Sequence, residues 1–332
     1  MKVVFFQRRR LREHYSIEGY FEVVRMLLPS HVRSVIAEAT YESRGFWRRL
    51  YNLLESVTRQ GDVNHIVGDI HYVSYLLRKN RTVLTVHDCG FEERASFIRR
   101  NLIKWLWIKF PVARVAMVTT VSEFTRTRVI AHARCDARKV RVVHTCISPT
   151  FKASPRAFRH DRPLILQVGT RPNKNLERVA QALQGIPCEL HIIGELSRAQ
   201  IAGLGNVKYR NSVHLSERSL FDAYVEADLV VFASTYEGFG MPIVEAHSVG
   251  RPVVTSRTAS MPEVAGDAAC LVDPFDIESI RDGILRVIND EDYRGGLIRR
   301  GYENAKRFDP GEIATKYLRL YEEISGAAVC VE

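Results

Sequence analysis

No run of roughly 18 apolar residues, the least a helix needs to cross a bilayer, occurs in this 332-residue chain, so it offers no membrane-spanning helix. No secretory signal is expected either. In the opening MKVVFFQRRR the charges follow a very short apolar run, the reverse of the order such a signal requires, and a cytoplasmic protein is expected. The six cysteines, Cys89, Cys135, Cys146, Cys188, Cys270 and Cys330, form no CxxC pair. That fits neither a zinc knuckle nor a disulfide-stapled secreted domain, and they read as small buried or half-buried side chains. Internal repeats, low-complexity tracts and heptads are absent too. The one Asp-x-Asp, Asp290-Glu291-Asp292, follows an expected helix rather than a strand and reads as a solvated turn. With no tight His and Asp cluster elsewhere, no metal site is expected.

What the chain does contain is apolar material, 46% of its residues, enough for two cores. Its charge is uneven: residues 1–150 carry 26 cationic and 13 anionic side chains, whereas residues 151–332 carry 22 and 25. Such an excess would suit nucleic acid, but the basic residues are dispersed and show neither zinc-finger spacing nor an RNA-recognition motif, so no nucleic-acid partner is expected.

Short apolar runs alternate with amphipathic stretches, the pattern of parallel sheets covered by helices. Strands are expected at 2–6, 32–37, 64–67, 82–86, 115–120 and 139–143, with helices at 18–28, 45–60, 95–110 and 122–131. After the proline-containing stretch 148–155 the cycle restarts, with strands at 164–168, 189–193, 207–209, 229–233, 252–255 and 269–272 and helices at 176–183, 217–225, 242–249 and 277–288. The fold class is therefore α/β, with Rossmann-like α/β/α domains at 1–152 and 153–332 facing each other across a cleft. The tail 293–324 has a helical pattern and is a candidate to return to the first domain. Ligands of such sheets sit beyond the carboxyl ends of the strands, which is where the chemistry is to be sought.

The strongest local signal is Leu229-Val230-Val231-Phe232-Ala233-Ser234-Thr235-Tyr236-Glu237-Gly238-Phe239-Gly240-Met241-Pro242-Ile243-Val244-Glu245-Ala246: a buried-type strand, a turn with two glycines, and a helix opened by proline. Glycines let the backbone present its N–H groups, and a helix start favours an anion such as a diphosphate. Glu237 and Glu245 bracket the turn; carboxylates suit sugar hydroxyls better than phosphate. The residues alone leave a second reading open, in which the glycines only permit a tight turn and both glutamates are solvated.

This segment closely resembles the two-glutamate signature of the retaining GT-B glycosyltransferases of family 4, which assemble bacterial polysaccharides. Leu164-Ile165-Leu166-Gln167-Val168-Gly169-Thr170-Arg171-Pro172-Asn173-Lys174 resembles the opening of that family's donor-binding domain, in a loop one residue shorter than usual, where Arg171 matches the family's arginine only loosely. Val83-Leu84-Thr85-Val86-His87-Asp88, Val118-Thr119-Thr120-Val121-Ser122-Glu123-Phe124 and Ser260-Met261-Pro262-Glu263-Val264-Ala265-Gly266 resemble further family segments, so the likeness covers most of residues 80–290.

The resemblance implies that Glu245 accepts hydrogen bonds from the ribose of a nucleotide diphosphate sugar, linked to GDP, UDP or dTDP. It also implies that Glu237 lies near the donor sugar, and that Gly238, Phe239, Gly240 and Met241 hold sugar or diphosphate. Lys174, with Arg171, would offset the leaving-group charge. His87, Lys174 and Glu237 are the catalytic candidates; Asp88 reads as an orienting carboxylate, and Ser122 by itself as a helix cap. The implied reaction is metal-independent transfer of a sugar, mannose first, with retention, to a glycan or lipid-linked saccharide, with no cofactor. Where the family has a glycine-rich loop, this chain has Gln7-Arg8-Arg9-Arg10-Leu11-Arg12-Glu13-His14-Tyr15-Ser16, and Arg9, Arg10, Tyr15 and Ser16 become candidates for gripping an anionic acceptor or, alternatively, a solvated basic loop. The basic stretch 99–110, containing Trp105 and Trp107, is either a helix at an anionic membrane surface or a helix facing the core. Donor-base contacts are sought near Gly194, Arg210 and Asn211. Two rivals stand beside the enzyme reading: a non-catalytic binding subunit of this fold, and a transferase acting on a small soluble acceptor.

Overall fold

The computed structural model describes residues 1–9, 16–90 and 104–326. The chain forms two compact units, Met1–Cys146 with Pro310–Glu332, and Ile147–Asp309. Each is built on a six-stranded, wholly parallel sheet.

In the first unit the strands are β1 (Lys2–Gln7), β2 (Arg33–Glu38), β3 (Val63–Ile66), β4 (Thr82–Val86), β5 (Met117–Thr120) and β6 (Val140–Val142), in the order β2-β1-β3-β4-β5-β6. The described helices include α1 (Ser16–Met26), α2 (Phe46–Thr58), α3 (Phe110–Ala113) and α4 (Glu123–Ala133). The second unit holds β7 (Leu164–Val168), β8 (Glu189–Ile193), β9 (Tyr209–Ser212), β10 (Leu229–Phe232), β11 (Val253–Ser256) and β12 (Cys270–Val272), in the order β12-β11-β10-β7-β8-β9. Its helices are α5 (Leu176–Leu183), α6 (Arg198–Gly203), α7 (Glu217–Glu226), α8 (Met241–Val249), α9 (Met261–Ala265), α10 (Ile277–Asn289) and α11 (Glu291–Lys306). Strands such as β4 and β10 are buried throughout, which is why they read in sequence as near-continuous apolar runs rather than as alternating ones; β3 is equally buried although it carries Asn64 and His65.

Several elements depart from the expectation: helices form at Arg198–Gly203 and Met261–Ala265 where none was expected, and Trp105–Lys109 is a π-helical turn. The last edge strand begins at Tyr209 instead of 207, because Val207 N–H closes a turn onto the Leu204 carbonyl and pairing starts with Tyr209 opposite Leu190. The Asp290-Glu291-Asp292 stretch is a helix start rather than a plain turn: an Asp290 carboxylate oxygen accepts from Tyr293 N–H at 2.8 Å and caps α11. The helical tail is two helices, α11 and α12 (Pro310–Ser325), because Pro310 has no N–H to continue the first and favours the start of a new one.

Helix α12 belongs to the first unit. Its Ile313, Tyr317 and Tyr321 share a core with Tyr20, Phe21 and Val24 of α1 and with Phe5. His65, wholly buried on β3, joins this helix to the sheet: its Nδ1 is 2.7 Å from the Tyr321 hydroxyl and its Nε2 2.7 Å from Thr85 Oγ1, which in turn lies 2.7 Å from Thr119 Oγ1. Burial, with the neighbouring His87, drives His65 down to about 3, so the ring is neutral and its two nitrogens serve as one donor and one acceptor.

Of the cysteines, Cys89, Cys146, Cys188 and Cys270 are buried and Cys135 half-buried, all as free thiols; Cys330 lies outside the described residues. Among the described residues no helix is long and apolar enough to cross a membrane.

Candidate donor-sugar site

In the second sheet the chain runs outward from β7 through β8 to β9, then returns to place β10 on the other side of β7. The loops after β7 and β10 therefore leave adjacent strands in opposite directions, and this reversal is where open α/β sheets bind ligands. Two of the three sequence motifs of the second unit fall on these two loops, and the third, residues 260–266, follows β11.

After β7, Gly169 takes φ +94°, and a Cβ there would come within 2.9 Å of Lys174 Cε. A short 3₁₀ turn, Pro172–Lys174, and Asn175 in the left-handed region then turn the chain into α5. Asn175 is held in that conformation by donating to the Ala233 and Pro274 carbonyls, at 2.9 and 2.7 Å. After β10 the backbone is bound to the first loop: Thr235 N–H donates to the Asn173 carbonyl at 2.8 Å.

Lys174 Nζ lies 2.7 Å from Glu237 Oε1 and 4.7 Å from the centre of the Phe232 ring. Asn173 Nδ2 donates to the same carboxylate oxygen at 3.2 Å and to the Tyr236 carbonyl at 3.0 Å. Ser260 Oγ is 3.0 Å from the Glu237 carbonyl and 2.6 Å from that of Phe239, bracing the turn from behind. Phe239 buries its ring edge-on against Phe308, at 5.5 Å between centroids. Gly240, at φ +117°, is the N-cap of α8, with Met241 and Pro242 in the first turn. A side chain at this cap would be strained and would press on Ile243 Cδ1 at 3.2 Å.

Further along α8, a Glu245 carboxylate oxygen accepts from the Tyr224 hydroxyl at 2.6 Å. Burial pushes the Glu245 carboxyl up to about 7; the Tyr224 hydrogen bond and the Lys174 charge pull the other way, while Glu217 adds to the rise. The Tyr224 phenol is raised well above 10, chiefly by burial and then by Glu245, so it stays a donor.

The structure thus brings Lys174, Glu237, Gly238, Phe239, Gly240, Met241 and Glu245 onto two neighbouring loops and one helix. Arg171 is on the same loop and exposed. Asn173, Tyr224 and Ser260 were not singled out by sequence. Asn173 and Ser260 sit inside motifs already in view, but nothing in the local pattern marks Tyr224. Asn211 spends its amide on the Ile192 and Gly194 carbonyls, at 3.0 and 2.8 Å, and Arg210 pairs with Glu226.

The remaining candidates belong to the first unit. His87, at the end of β4, donates from Nε2 to the Val67 carbonyl at 2.9 Å, and burial lowers its pKa. Asp88 accepts from Gly90 N–H at 2.9 Å, closing its own turn. Ser122 caps α4 by accepting from Thr125 N–H at 3.1 Å. Arg9 is exposed and donates from Nη1 to the Thr40 carbonyl at 3.3 Å. Arg10 and Tyr15 lie outside the described residues, as does the side chain of Ser16, which opens α1. Of the basic Trp stretch, residues 99–103 lie outside them too. Trp105 and Leu106 are exposed, Ile108 is buried, and Trp107 donates from Nε1 to Asp69 at 2.7 Å. Among the described residues no group of His, Cys, Asp and Glu is gathered to hold a metal ion.

Family profiles match both units: Glycosyltransferase Family 4 over residues 3–151, and Glycosyl transferases group 1 over residues 150–304. The chain belongs to the family 4 glycosyltransferases. This family 4 chain is 28% identical over 274 residues to the O-antigen chain mannosyltransferase B of Escherichia coli, a match covering 74% of the chain and 71% of that protein. It is 29% identical over 216 residues to the MMP alpha-(1->4)-mannosyltransferase of Mycolicibacterium hassiacum, covering 62% of the chain but only 45% of the relative. The structure of HepE from Anabaena in complex with UDP and glucose superposes with a TM-score of 0.78 at 17% identity, over 97% of this chain and 100% of that one. That likeness concerns the fold, a GT-B arrangement of two Rossmann-like units.

Proposed function

We propose that this family 4 glycosyltransferase moves a hexose, with retention and without a metal, from a nucleoside diphosphate sugar to a hydroxyl of a glycan or lipid-linked saccharide in surface polysaccharide assembly. Mannose is the first choice of sugar, since both curated relatives above carry mannosyltransferase names. The observation that carries the reading is the meeting of Lys174 and Glu237, at 2.7 Å, where β7 and β10 part and α8 begins.

In this reading the diphosphate lies at the N-terminus of α8, where the first N–H groups of a helix have no partner within it and the dipole favours an anion. Lys174 exchanges its carboxylate partner for phosphate, which frees Glu237 to accept from sugar hydroxyls. Glu245 takes the ribose hydroxyls. During transfer the bond from the anomeric carbon to the diphosphate oxygen breaks while the acceptor oxygen bonds that carbon from the same side. The acceptor proton passes to the leaving phosphate, and Lys174, assisted by Arg171, stabilises the charge that develops there. His87 and the basic loop with Arg9, Arg10, Tyr15 and Ser16 serve the sugar and an anionic acceptor. The place of that loop supports the assignment, because it follows β1, at the point where the order of the first sheet reverses.

The test is release of nucleoside diphosphate from a panel of nucleotide sugars, with and without lipid-linked acceptor, by the natural protein and by Lys174→Ala and Glu245→Ala. Turnover should fall at least about a hundredfold in Lys174→Ala, the scale for removing one charge-stabilising group. No turnover with any donor, together with nucleotide affinity unchanged in both variants, refutes the reading.

A further inference from the structure

Helix α2 packs Leu53 on the core of the first unit but leaves most of its apolar side outside. The face it turns inward carries Asn52 and Ser56, 2% and 3% exposed, while Trp47 is 77% exposed and Phe46, Tyr51, Leu54 and Val57 are open to solvent as well. At 100° per residue Trp47, Leu50, Tyr51 and Leu54 form one continuous outer stripe, flanked by Phe46 and Val57. The inward fit is specific. Asn52 donates to the Tyr41 carbonyl at 2.8 Å and to the Tyr72 hydroxyl at 3.1 Å, and accepts from Tyr41 N–H at 3.0 Å. The helix therefore cannot be rotated to hide the apolar side without orphaning this buried amide.

The charges around the stripe are mostly cationic, with Glu42 4.0 Å from the Arg44 guanidinium as an acidic exception. Arg44 and Arg48 are exposed beside it, and Arg49 lies over the Trp107 ring at 5.3 Å. Glu55, the single acid of the helix, is taken up by Arg59 and by Thr40 Oγ1, at 2.5 and 2.6 Å. An aromatic and aliphatic face bordered by arginines, on the half of the chain with twice as many cations as anions, is the composition of a helix that lies in an anionic lipid interface. A second copy of the chain fits less well, since a two-fold contact through this face would set arginines against arginines.

We propose that the outer face of α2 docks the protein on a bilayer containing anionic lipid, with Trp47, Tyr51 and Leu54 in the acyl boundary and Arg44 and Arg48 among the headgroups. The experiment is co-flotation of the full chain with phosphatidylcholine vesicles, with and without phosphatidylglycerol, alongside sedimentation velocity. The natural protein should float with the phosphatidylglycerol vesicles. Trp47→Ser/Leu54→Ser should lower its partition roughly tenfold or more, and Arg44→Glu/Arg48→Glu should remove the preference for anionic lipid. All four positions are exposed, so melting temperature and nucleotide binding should stay unchanged, which separates this outcome from misfolding and from failure of the donor-site reading. Three results overturn the proposal: equal flotation of natural protein and Trp47→Ser/Leu54→Ser; loss of flotation on Trp105→Ser but not on that pair; or self-association abolished by the pair without lipid binding.

Discussion

Replacing Glu245 by glutamine removes the charge of a half-buried carboxylate and keeps its shape and an oxygen that can accept from Tyr224. Its ordinary value of 4.5 is raised to about 7 by burial. A carboxyl displaced upward binds its proton more tightly folded than unfolded. Stability therefore falls as pH rises through 4.5, and the loss is complete once pH exceeds about 7. At about 1.36 kcal/mol per pH unit the full penalty is about 3 kcal/mol, an upper bound because the group keeps some solvent. Glu245→Gln carries no such penalty. The variant should match the natural protein near pH 4.5 and surpass it at pH 8, by up to about 6–12 °C in melting temperature at ~2–4 °C per kcal/mol. The measurement is thermal and urea unfolding of both proteins at several pH values, read as their difference, so that other titrating groups cancel. If Glu245 serves the ribose, nucleotide should bind the natural protein more tightly above pH 7 and Glu245→Gln more weakly throughout. A stability difference that stays constant with pH, or a glutamine variant weaker at pH 8, refutes the argument that this carboxylate is held at the expense of the fold.

Gly240→Ala should cost about 1–3 kcal/mol through its positive φ and the contact with Ile243, lowering both melting temperature and nucleotide affinity; an unperturbed variant would mean the cap tolerates a side chain. Tyr321→Phe leaves His65 Nδ1 without its buried partner and should destabilise by about 1–3 kcal/mol in urea unfolding, whereas a neutral result would deny the bond that weight. His65, His191 and His247 are lowered to about 3, 4 and 4 by burial, so the unfolded chain takes up their protons first. The protein should lose stability as pH falls from 6.5 toward 4, seen as a falling melting temperature, and a flat profile over that window would contradict it.

The sequence by itself was enough for the strands of the two sheets, apart from the shifted edge strand β9, and for the turn between β10 and α8. Strands covered on both faces are mostly apolar, and a glycine-rich helix start is written within a few consecutive residues. The family likeness that singled out Lys174, Glu237 and Glu245 rests on those same local patterns. What the local pattern does not hold are partnerships between distant residues. Tyr224 reaches Glu245 across 21 positions, and Ser260 braces Glu237 from 23 away. Arg251, nearly fully buried, donates to the Tyr224, Val225 and Ser154 carbonyls, and Asp228 accepts from Leu164 N–H and Arg159. Neither differs in sequence from a solvated charge. The strand order that makes β7 and β10 neighbours, the return of α12 to the bond between Tyr321 and His65, and the outward apolar face of α2 were likewise decided only by the tertiary structure. Periodicity gives a helix its two faces, but burial, which depends on everything packed around it, determines which of them meets water.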